Sequence, residues 1–129
     1  MSKENIGLYD AIDKELMIDI NNLNGELMDQ ALLMRKWTKA KSMASKRAKA
    51  IRGQLAYTKG SLHKQYASKG LRVGDIEAAI DTDPGVAKLN SELIEAEYEF
   101  DALDGIVRAF YQKHESLKEL SYNTRKGME

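Results

Sequence analysis

The sequence DPGVAKLNSELIEAEYEFDALDGIVRAFYQKHESL, residues 83–117, decides the fold of this chain. Asp83 is a favourable helix N-cap, and Pro84 suits the first helical position. Apolar side chains then recur at alternating spacings of three and four residues, which is a heptad seam. The seam runs through Val86, Leu89, Leu93, Ala96, Phe100, Leu103, Val107 and Phe110, and closes with His114 and Leu117. This stretch predicts one long C-terminal helix.

A second apolar strip lies beside this seam, at Ile94, Tyr98, Ile106 and Tyr111. One strip can face the rest of the domain, whereas the other needs a partner, so we expect the helix to self-associate. A buried helical hairpin in a monomer is the alternative. Phe side chains fit poorly in a two-stranded coil, which favours a larger bundle or a ring. We assign oligomerisation to seven seam residues: Val86, Leu89, Leu93, Phe100, Leu103, Val107 and Phe110.

Helical spacing of apolar residues also dominates the first half of the chain. One apolar face runs from Leu16 to Trp37. Because Trp37 stands at the end of this face, we expect its ring to lie in the core and not to act as a stacking platform. An alanine-rich face follows from Ala44 to Leu55. Residues 58–74 are predicted to be a connection, because glycines interrupt helical continuity there, with room for a short helical piece near Leu62–Tyr66.

These patterns predict an all-α protein, a small helical domain whose long C-terminal helix forms a homo-oligomeric helical bundle or ring. The length of 129 residues suits a single domain, 1–129. Within it we expect an N-terminal helical and basic part, 8–74, and a C-terminal oligomerisation helix region, 75–122.

Composition excludes several classes of protein. Hydrophobic residues make up 43% of the chain and charged residues 31%, as in globular proteins. The absence of cysteine excludes disulfide scaffolds, thiol nucleophiles and cysteine-ligated metal sites. No apolar run reaches the roughly 20 residues that span a bilayer, and none at the N-terminus has the length of a signal peptide. We therefore expect a soluble intracellular protein that has no membrane partner.

No residue pattern indicates catalysis. His63 and His114 lie on different segments and lack a metal-ligand spacing. Asp81 and Asp83 stand where a helix needs its N-cap, which favours capping over metal binding. The chain has neither a phosphate-cradling Gly-Lys-Ser/Thr loop nor a dinucleotide fingerprint. We predict that the protein is not an enzyme, has no catalytic or metal-binding residues and needs no cofactor.

The formal net charge of zero hides a strongly uneven distribution. Residues 30–74 hold twelve bases and no acid, whereas residues 75–107 hold ten acids and one base. A basic stretch of this length attracts phosphates. The alternative is that the acidic blocks neutralise it. The two interpretations are compatible, since acidic segments could hold the basic one until a nucleic acid competes.

Aromatic residues are interleaved with the basic ones at Tyr57 and Tyr66. Rings can stack on unpaired bases while Lys and Arg bind phosphates, which is typical of single-stranded nucleic-acid binding. Tyrosines at such positions also commonly cap a core, so this signal alone does not decide between the two roles.

Three runs of this sequence match the pattern of a known family. The first, I-D-x-x-x-L-x-x-E followed by L-x-x-K-W, is present without a gap at Ile18, Asp19, Leu23, Glu26, Leu33, Lys36 and Trp37. A basic motif L-K-A-R-L corresponds to Ile51-Arg52-Gly53-Gln54-Leu55, with Tyr57 and Gly60 also matching and Gln54 in place of Arg. The third run extends from Asp83, Val86 and Lys88 to Leu93. Over most of residues 15–120 the chain thus resembles the phage recombination mediator family called UvsY, from T-even-like phages.

The resemblance implies a small helical protein that assembles through its C-terminal helices into a closed ring, a hexamer or heptamer. It implies binding of single-stranded DNA, and loading of a phage RecA-like recombinase onto strands coated by the phage single-strand-binding protein. This activity belongs to the cytoplasm of the infected bacterial host and needs no catalysis and no cofactor. The candidate ssDNA-binding residues are Lys46, Arg47, Lys49, Arg52, Tyr57, Lys59 and Lys64.

A second hypothesis fits the same charge pattern. A helical oligomeric phage assembly adaptor or chaperone that does not bind DNA would pair its basic stretch with an acidic protein. Low affinity for DNA at moderate salt distinguishes it from a mediator. A membrane-surface helix is disfavoured, because Trp37 alone does not supply the large apolar face that insertion needs. The acidic residues 92–104 are a candidate surface for protein partners.

Overall fold

A computed structural model describes the backbone of residues 3–127 and the side chains of residues 10–127. Four α-helices and one short 3-10 turn make up nearly all of this part of the chain. The helices are α1 (Lys3–Leu16), α2 (Leu23–Ser68), α3 (Val73–Asp81) and α4 (Pro84–Gly127), and the turn is Ile20–Asn22. The described residues contain no strand, and the prediction of an all-α fold with a long C-terminal helix is confirmed.

The start of α4 is as the sequence predicts. The Asp83 carboxylate accepts a hydrogen bond from the backbone N–H of Val86 at 3.0 Å, which is N-cap geometry. Pro84 is the first residue of the helix, where its missing N–H leaves no hydrogen bond unmade. Capping is therefore the role that Asp83 has in the structure.

The predicted connection at residues 58–74 is wrong for most of its length. The helix α2 continues through Gly60 to Ser68. A glycine costs about 1 kcal/mol in a helix interior. Packing offsets this cost, because Leu62 and Tyr66 contact a buried cluster, and tertiary packing contributes most of a helix's stability in a protein.

The chain leaves α2 at Gly70, whose φ of +81° lies in the left-handed region that favours glycine. The N–H of Leu71 donates to the carbonyl of Tyr66, and the N–H of Gly70 donates to the carbonyl of Ala67. This pair of hydrogen bonds is a Schellman motif, which ends helices. The short helix α3 follows directly, and the sequence patterns did not predict it.

The predicted apolar face from Leu16 is interrupted between α1 and α2. The Asp19 carboxylate accepts a hydrogen bond from the N–H of Asn21 at 3.0 Å, a local contact that competes with helix formation. Gly25 follows at a point of close approach. A Cβ there would lie 2.5 Å from the side-chain nitrogen of Asn22, so a larger residue would displace that side chain.

The helices form two compact units, which we call the terminal unit and the central unit. In the described part of the chain, the terminal unit contains residues 3–39 and 104–127, and the central unit contains Ala40–Leu103. The long helices α2 and α4 contribute to both units. The helix α1 belongs only to the terminal unit, and α3 belongs only to the central unit.

The core of the central unit consists of small and aliphatic side chains. One buried cluster contains Leu55, Ile76, Ile80 and Val86. A second contains Ala48, Ile51 and Ala96, and Leu89 and Leu93 pack against both clusters. The three core-forming segments of α2, α3 and α4 thus present one apolar face each.

The core of the terminal unit contains aromatic rings and polar groups. The rings of Trp37 and Phe110 are stacked, with centroids 6.1 Å apart and planes 18° from parallel. The Trp37 indole N–H donates to the Glu15 carboxylate at 2.9 Å. The buried Gln30 amide donates to the backbone carbonyl of Phe110 at 2.8 Å. The prediction that Trp37 lies in the core is confirmed, since its side chain is buried.

The heptad seam of α4 packs against the chain itself. Val86 is buried in the central unit and Phe110 in the terminal unit, so neither side chain is accessible to a second copy while the fold is intact. Leu89 and Leu93 also pack against the central core. Oligomerisation through the seam stays a prediction, and five of its seven residues are partly exposed: Leu89, Leu93, Phe100, Leu103 and Val107. In the second strip, Ile94, Tyr98 and Tyr111 are exposed.

Candidate nucleic-acid interface

The basic part of α2 in the central unit is organised around its buried face. Ala44, Ala48, Ile51 and Leu55 are buried at spacings of four, three and four residues. An α-helix has 3.6 residues per turn, so this face determines where every other side chain of α2 lies. The candidate DNA-binding residues therefore separate into lines along the helix.

One line, which we call the basic flank, lies beside the buried face. Its members repeat every three or four residues, which places them above one another on the helix surface. They are Lys41, Ser45, Lys49, Arg52, Ala56, Lys59 and His63. At 1.5 Å of rise per residue, the line extends over about 33 Å. All seven residues belong to the central unit.

A neighbouring line, the outer line, lies opposite the buried face. It contains Lys46, Ala50, Gly53, Tyr57 and Lys64, and all of them are exposed. The Tyr57 side chain is 80% exposed. A Cβ at Gly53, four residues before Tyr57, or at Gly60, three residues after it, would meet no atom within 4 Å. The tyrosine ring is therefore open on the sides where helix neighbours would normally cover it.

Arg47 and Arg52 are bound by carboxylates of α4. Arg47 Nη1 lies 2.9 Å from Glu99 Oε2, and Arg52 Nη2 lies 2.9 Å from Glu97 Oε1. Both arginine side chains are 55% exposed, so solvent screens both pairs, and each contributes less than about 1 kcal/mol. Glu97 and Glu99 are two residues apart on a helix and point to different sides of it, so their arginines lie on opposite sides of α2.

The seven candidate residues thus lie on three lines of α2. Lys49, Arg52 and Lys59 lie on the basic flank, and Lys46, Tyr57 and Lys64 on the outer line. Arg47 lies on the opposite flank. Within the described part of the chain, the four lysines of this set form no ion pair.

A groove opens where the basic flank approaches α4. It has a volume of about 490 Å³ and is lined by Lys41, Ser42, Ser45, Lys46, Lys49 and Phe100. Lys41 Nζ lies 5.8 Å from the centroid of the Phe100 ring, a cation–π contact. Sequence reasoning named only Lys46 and Lys49 here. The spacing of four residues could have shown that Lys41, Ser45 and Lys49 lie on one line of α2. No local signal connects these residues to Phe100.

Two kinds of site do not occur among the described residues. No group of three or more His, Asp or Glu side chains lies close enough to hold a metal ion. None of the described helices combines the length and the apolar character that crossing a membrane requires.

Comparison with known proteins identifies the fold. No protein-family model matches this chain, and no curated protein matches it in sequence. Crystal structures of the recombination mediator protein UvsY of bacteriophage T4 are similar to it. The lattice type IV structure gives a TM-score of 0.77 at 19% identity, with 100% of both chains covered. The type II structure gives 0.73 at 18% identity, covering 100% of this chain and 99% of the other. The chain therefore has a UvsY-like fold.

Proposed function

We propose that this chain is a recombination mediator that binds single-stranded DNA and loads a RecA-like recombinase onto strands coated by single-strand-binding protein. One observation carries the proposal. A chain with a UvsY-like fold over its full length presents four lysines of α2, Lys46, Lys49, Lys59 and Lys64, that form no ion pair with a described residue, and they lie within a stretch of 45 residues that contains no acid. The cytoplasm of an infected bacterial host is the place where such a protein would act.

The basic flank supplies the phosphate contacts in this proposal. Lys49, Arg52 and Lys59 lie within ten residues on one line, so their charges follow one another over about 15 Å of helix. A single strand can track such a row with successive phosphates, since each cation that neutralises a phosphate releases counterions. Arg52 leaves Glu97 for the DNA at little cost, because that ion pair is exposed and weak.

The Tyr57 ring supplies a stacking surface in this proposal. Duplex DNA keeps its bases stacked inside the helix, whereas a single strand offers free base faces to aromatic rings. Gly53 and Gly60 leave open the space beside the ring. Binding through Tyr57 therefore favours single strands over duplexes.

A homo-oligomer, with a hexameric or heptameric ring as the expected form, would repeat this weak site several times. Repetition raises the affinity for a long strand without any new contact, because later contacts become intramolecular. The exposed Ile94 and Tyr98 of α4 supply apolar surface for contact with a second copy. Exposed acids near them, such as Glu95 and Asp101, supply charge for a basic protein partner.

The first test is fluorescence anisotropy of a labelled single-stranded oligonucleotide, titrated at low and at physiological salt with duplex DNA as competitor. We expect binding that weakens steeply with salt and prefers the single strand. Equal affinity for duplex and single strand, or no binding at moderate salt, contradicts the proposal. A recombinase-loading assay on strands coated by single-strand-binding protein then tests the mediator step itself.

Arg47 and Arg52 form a matched pair for locating the interface. Both side chains are 55% exposed and each binds one glutamate of α4, Arg47 through one hydrogen bond and Arg52 through two, and they lie on opposite sides of α2. We expect Arg52→Ala to weaken binding about fivefold to tenfold and to lower the slope of log affinity against log salt by about 1. Arg47→Ala should change the affinity by less than about twofold. Equal losses in the two variants would show that the strand does not follow the basic flank.

A further inference from the structure

We propose that the groove between α2 and α4 in the central unit is a nucleotide subsite. Ser42, Ser45 and Lys49 hold a phosphate of the strand, and the Phe100 ring stacks on the adjoining base. The inference rests on the proposed binding of single-stranded DNA and deepens it, because it gives the strand a point of entry that includes α4. The ligand class is a nucleotide within single-stranded nucleic acid.

The dimensions and lining of the groove suit one nucleotide. Its volume of about 490 Å³ falls within the range of roughly 300–1,000 Å³ that is typical of small-ligand clefts. Three lysines and two serines line it together with Phe100, and no acidic side chain does so among the described residues. The lining is thus complementary to an anion that carries an aromatic group.

The phosphate donors come from consecutive turns of α2. Ser45 and Lys49 are four residues apart, and Ser42 precedes Ser45 by three, so all three lie near one another on the helix surface. Neither serine hydroxyl is engaged by a hydrogen bond with another described residue. Hydroxyls and ammonium groups are common phosphate ligands in nucleic-acid interfaces.

The aromatic surface comes from α4. Phe100 is half-buried and lines the groove. The Lys41 ammonium lies 5.8 Å from the centroid of its ring. A base that stacks on this ring replaces the cation–π contact with Lys41.

The position of the groove connects it to the rest of the proposed interface. Lys49 belongs both to the groove lining and to the basic flank, and Arg52 is the next cation on that flank. A strand that leaves the groove therefore continues along the flank past Arg52, whose partner is Glu97, and reaches Lys59, which lines a groove with Glu77 and Asp81 of α3.

Photocrosslinking tests the contact with Phe100 directly. An oligonucleotide that contains 5-iodouracil is bound to the full chain and irradiated, and the crosslinked peptides are identified by mass spectrometry. We expect a crosslink at Phe100. If the oligonucleotide binds but crosslinks only to Tyr57 or other residues, the nucleotide subsite is contradicted and the proposed function is not. An oligonucleotide that does not bind at all overturns both.

A pair of charge variants tests the phosphate side. Ser42→Glu places a carboxylate among the phosphate donors, and Ser91→Glu makes the same change at an exposed serine of the central unit that does not line the groove. We expect at least about a fivefold loss of affinity for Ser42→Glu and less than about twofold for Ser91→Glu. Equal losses of affinity in the two variants would reflect net charge alone and would contradict the nucleotide subsite.

A third variant separates stacking from packing. Phe100→Leu keeps an apolar side chain in the half-buried position but removes the aromatic face. We expect an unchanged helical circular-dichroism spectrum, a lost crosslink and an affinity lower by about fivefold or more. Unchanged affinity in a folded variant would contradict base stacking at this position.

Discussion

The terminal unit contains one ion pair with a buried cation beside its exposed pairs, whereas the described ion pairs of the central unit are exposed. In the terminal unit the Lys113 side chain is only 4% exposed, and its ammonium lies 2.8 Å from the Glu26 carboxylate and donates to the backbone carbonyl of Glu15. In the central unit the paired cations Arg47 and Arg52 are more than half exposed. Charges in a core are committed to the fold, whereas charges at a surface contribute little to it and remain available to a ligand.

The pKa values of Glu15 and Glu26 in the terminal unit reflect their contacts in the fold. The hydrogen bond with Lys113 lowers the pKa of Glu26 below its ordinary value, against the opposing effect of burial. Burial raises the pKa of Glu15, but hydrogen bonds from Lys36 and Trp37, together with the nearby positive charges, outweigh it and lower that pKa. Both carboxylates are therefore more acidic in the folded chain than in the unfolded one.

The largest expected effect comes from opening the aromatic core of the terminal unit. Phe110 is fully buried, and its neighbour Tyr111 is 57% exposed. Phe110→Ala should lower the free energy of unfolding by about 4 kcal/mol, because it removes a stacked ring and leaves a cavity. Tyr111→Ala should lower it by less than about 0.5 kcal/mol. Chemical denaturation followed by circular dichroism measures both, and similar losses would contradict the packing described for this unit.

Removing one carboxylate from each unit tests the comparison itself. Glu26→Gln removes the carboxylate that contacts the buried Lys113 ammonium and leaves Glu15 as the nearby negative charge, at a cost of about 3 kcal/mol in the free energy of unfolding. Glu99→Gln breaks an exposed pair and should cost less than about 1 kcal/mol. Denaturation curves of the two variants at neutral pH give both values. A cost at Glu99 as large as at Glu26 would remove the distinction between the units.

Acidification should loosen the terminal unit through the same carboxylates. A depressed pKa in the folded state contributes stability above the unfolded pKa of about 4.3, and this stability is lost as the pH falls through the lower folded value. Trp37 is the only tryptophan of the chain and lies in the terminal core, so its fluorescence reports this unit. We expect thermal stability by this probe to fall below about pH 4.3. A pH dependence that Glu26→Gln leaves unchanged would contradict the role of Glu26.

The smallest expected effect on stability lies on the outer line of the central unit. Gly53→Leu should stabilise α2 by about 1 kcal/mol, because glycine is a poor helix former and the added side chain meets open space. The same leucine would cover the Tyr57 ring four residues away and lower the affinity for single-stranded DNA about fivefold. Ala50→Leu, on the same line but two turns from Tyr57, is the matched control. Unchanged binding by Gly53→Leu would show that Tyr57 is not a stacking surface.

Local signals predicted the features of the fold that depend on neighbouring residues. The N-cap at Asp83 and the helical period of α4 follow from spacings within a few turns, and both are present in the structure. The continuation of α2 through Gly60 was missed. Its helical state there depends on packing of Leu62 and Tyr66 against a cluster that includes Ile76 and other side chains distant in sequence.

The candidate interface was also predicted only in part from the sequence. Charge counting alone identified the basic stretch and seven residues in it, but it could not separate Arg47 from Arg52. The helical period places the two arginines on different sides of the predicted alanine-rich face, but only the tertiary structure shows which glutamate of α4 each one meets, across 52 and 45 positions of sequence. The heptad pattern assigned Phe100 to an oligomerisation seam, which stays a prediction, and gave no indication that Phe100 lines a groove with Lys41 and Lys49.

The sequence by itself determined that this chain is all-helical, that its positive charge is concentrated in one acid-free stretch, and that α4 carries a continuous apolar seam. These are properties of composition and of the 3.6-residue period, and they need no long-range contact. Only the tertiary structure decided that the ends of the seam are buried within the chain, that Lys113 is committed to a core, and that a groove joins Lys49 to Phe100. Each of these depends on the register between α2 and α4, which packing sets and which no local pattern encodes.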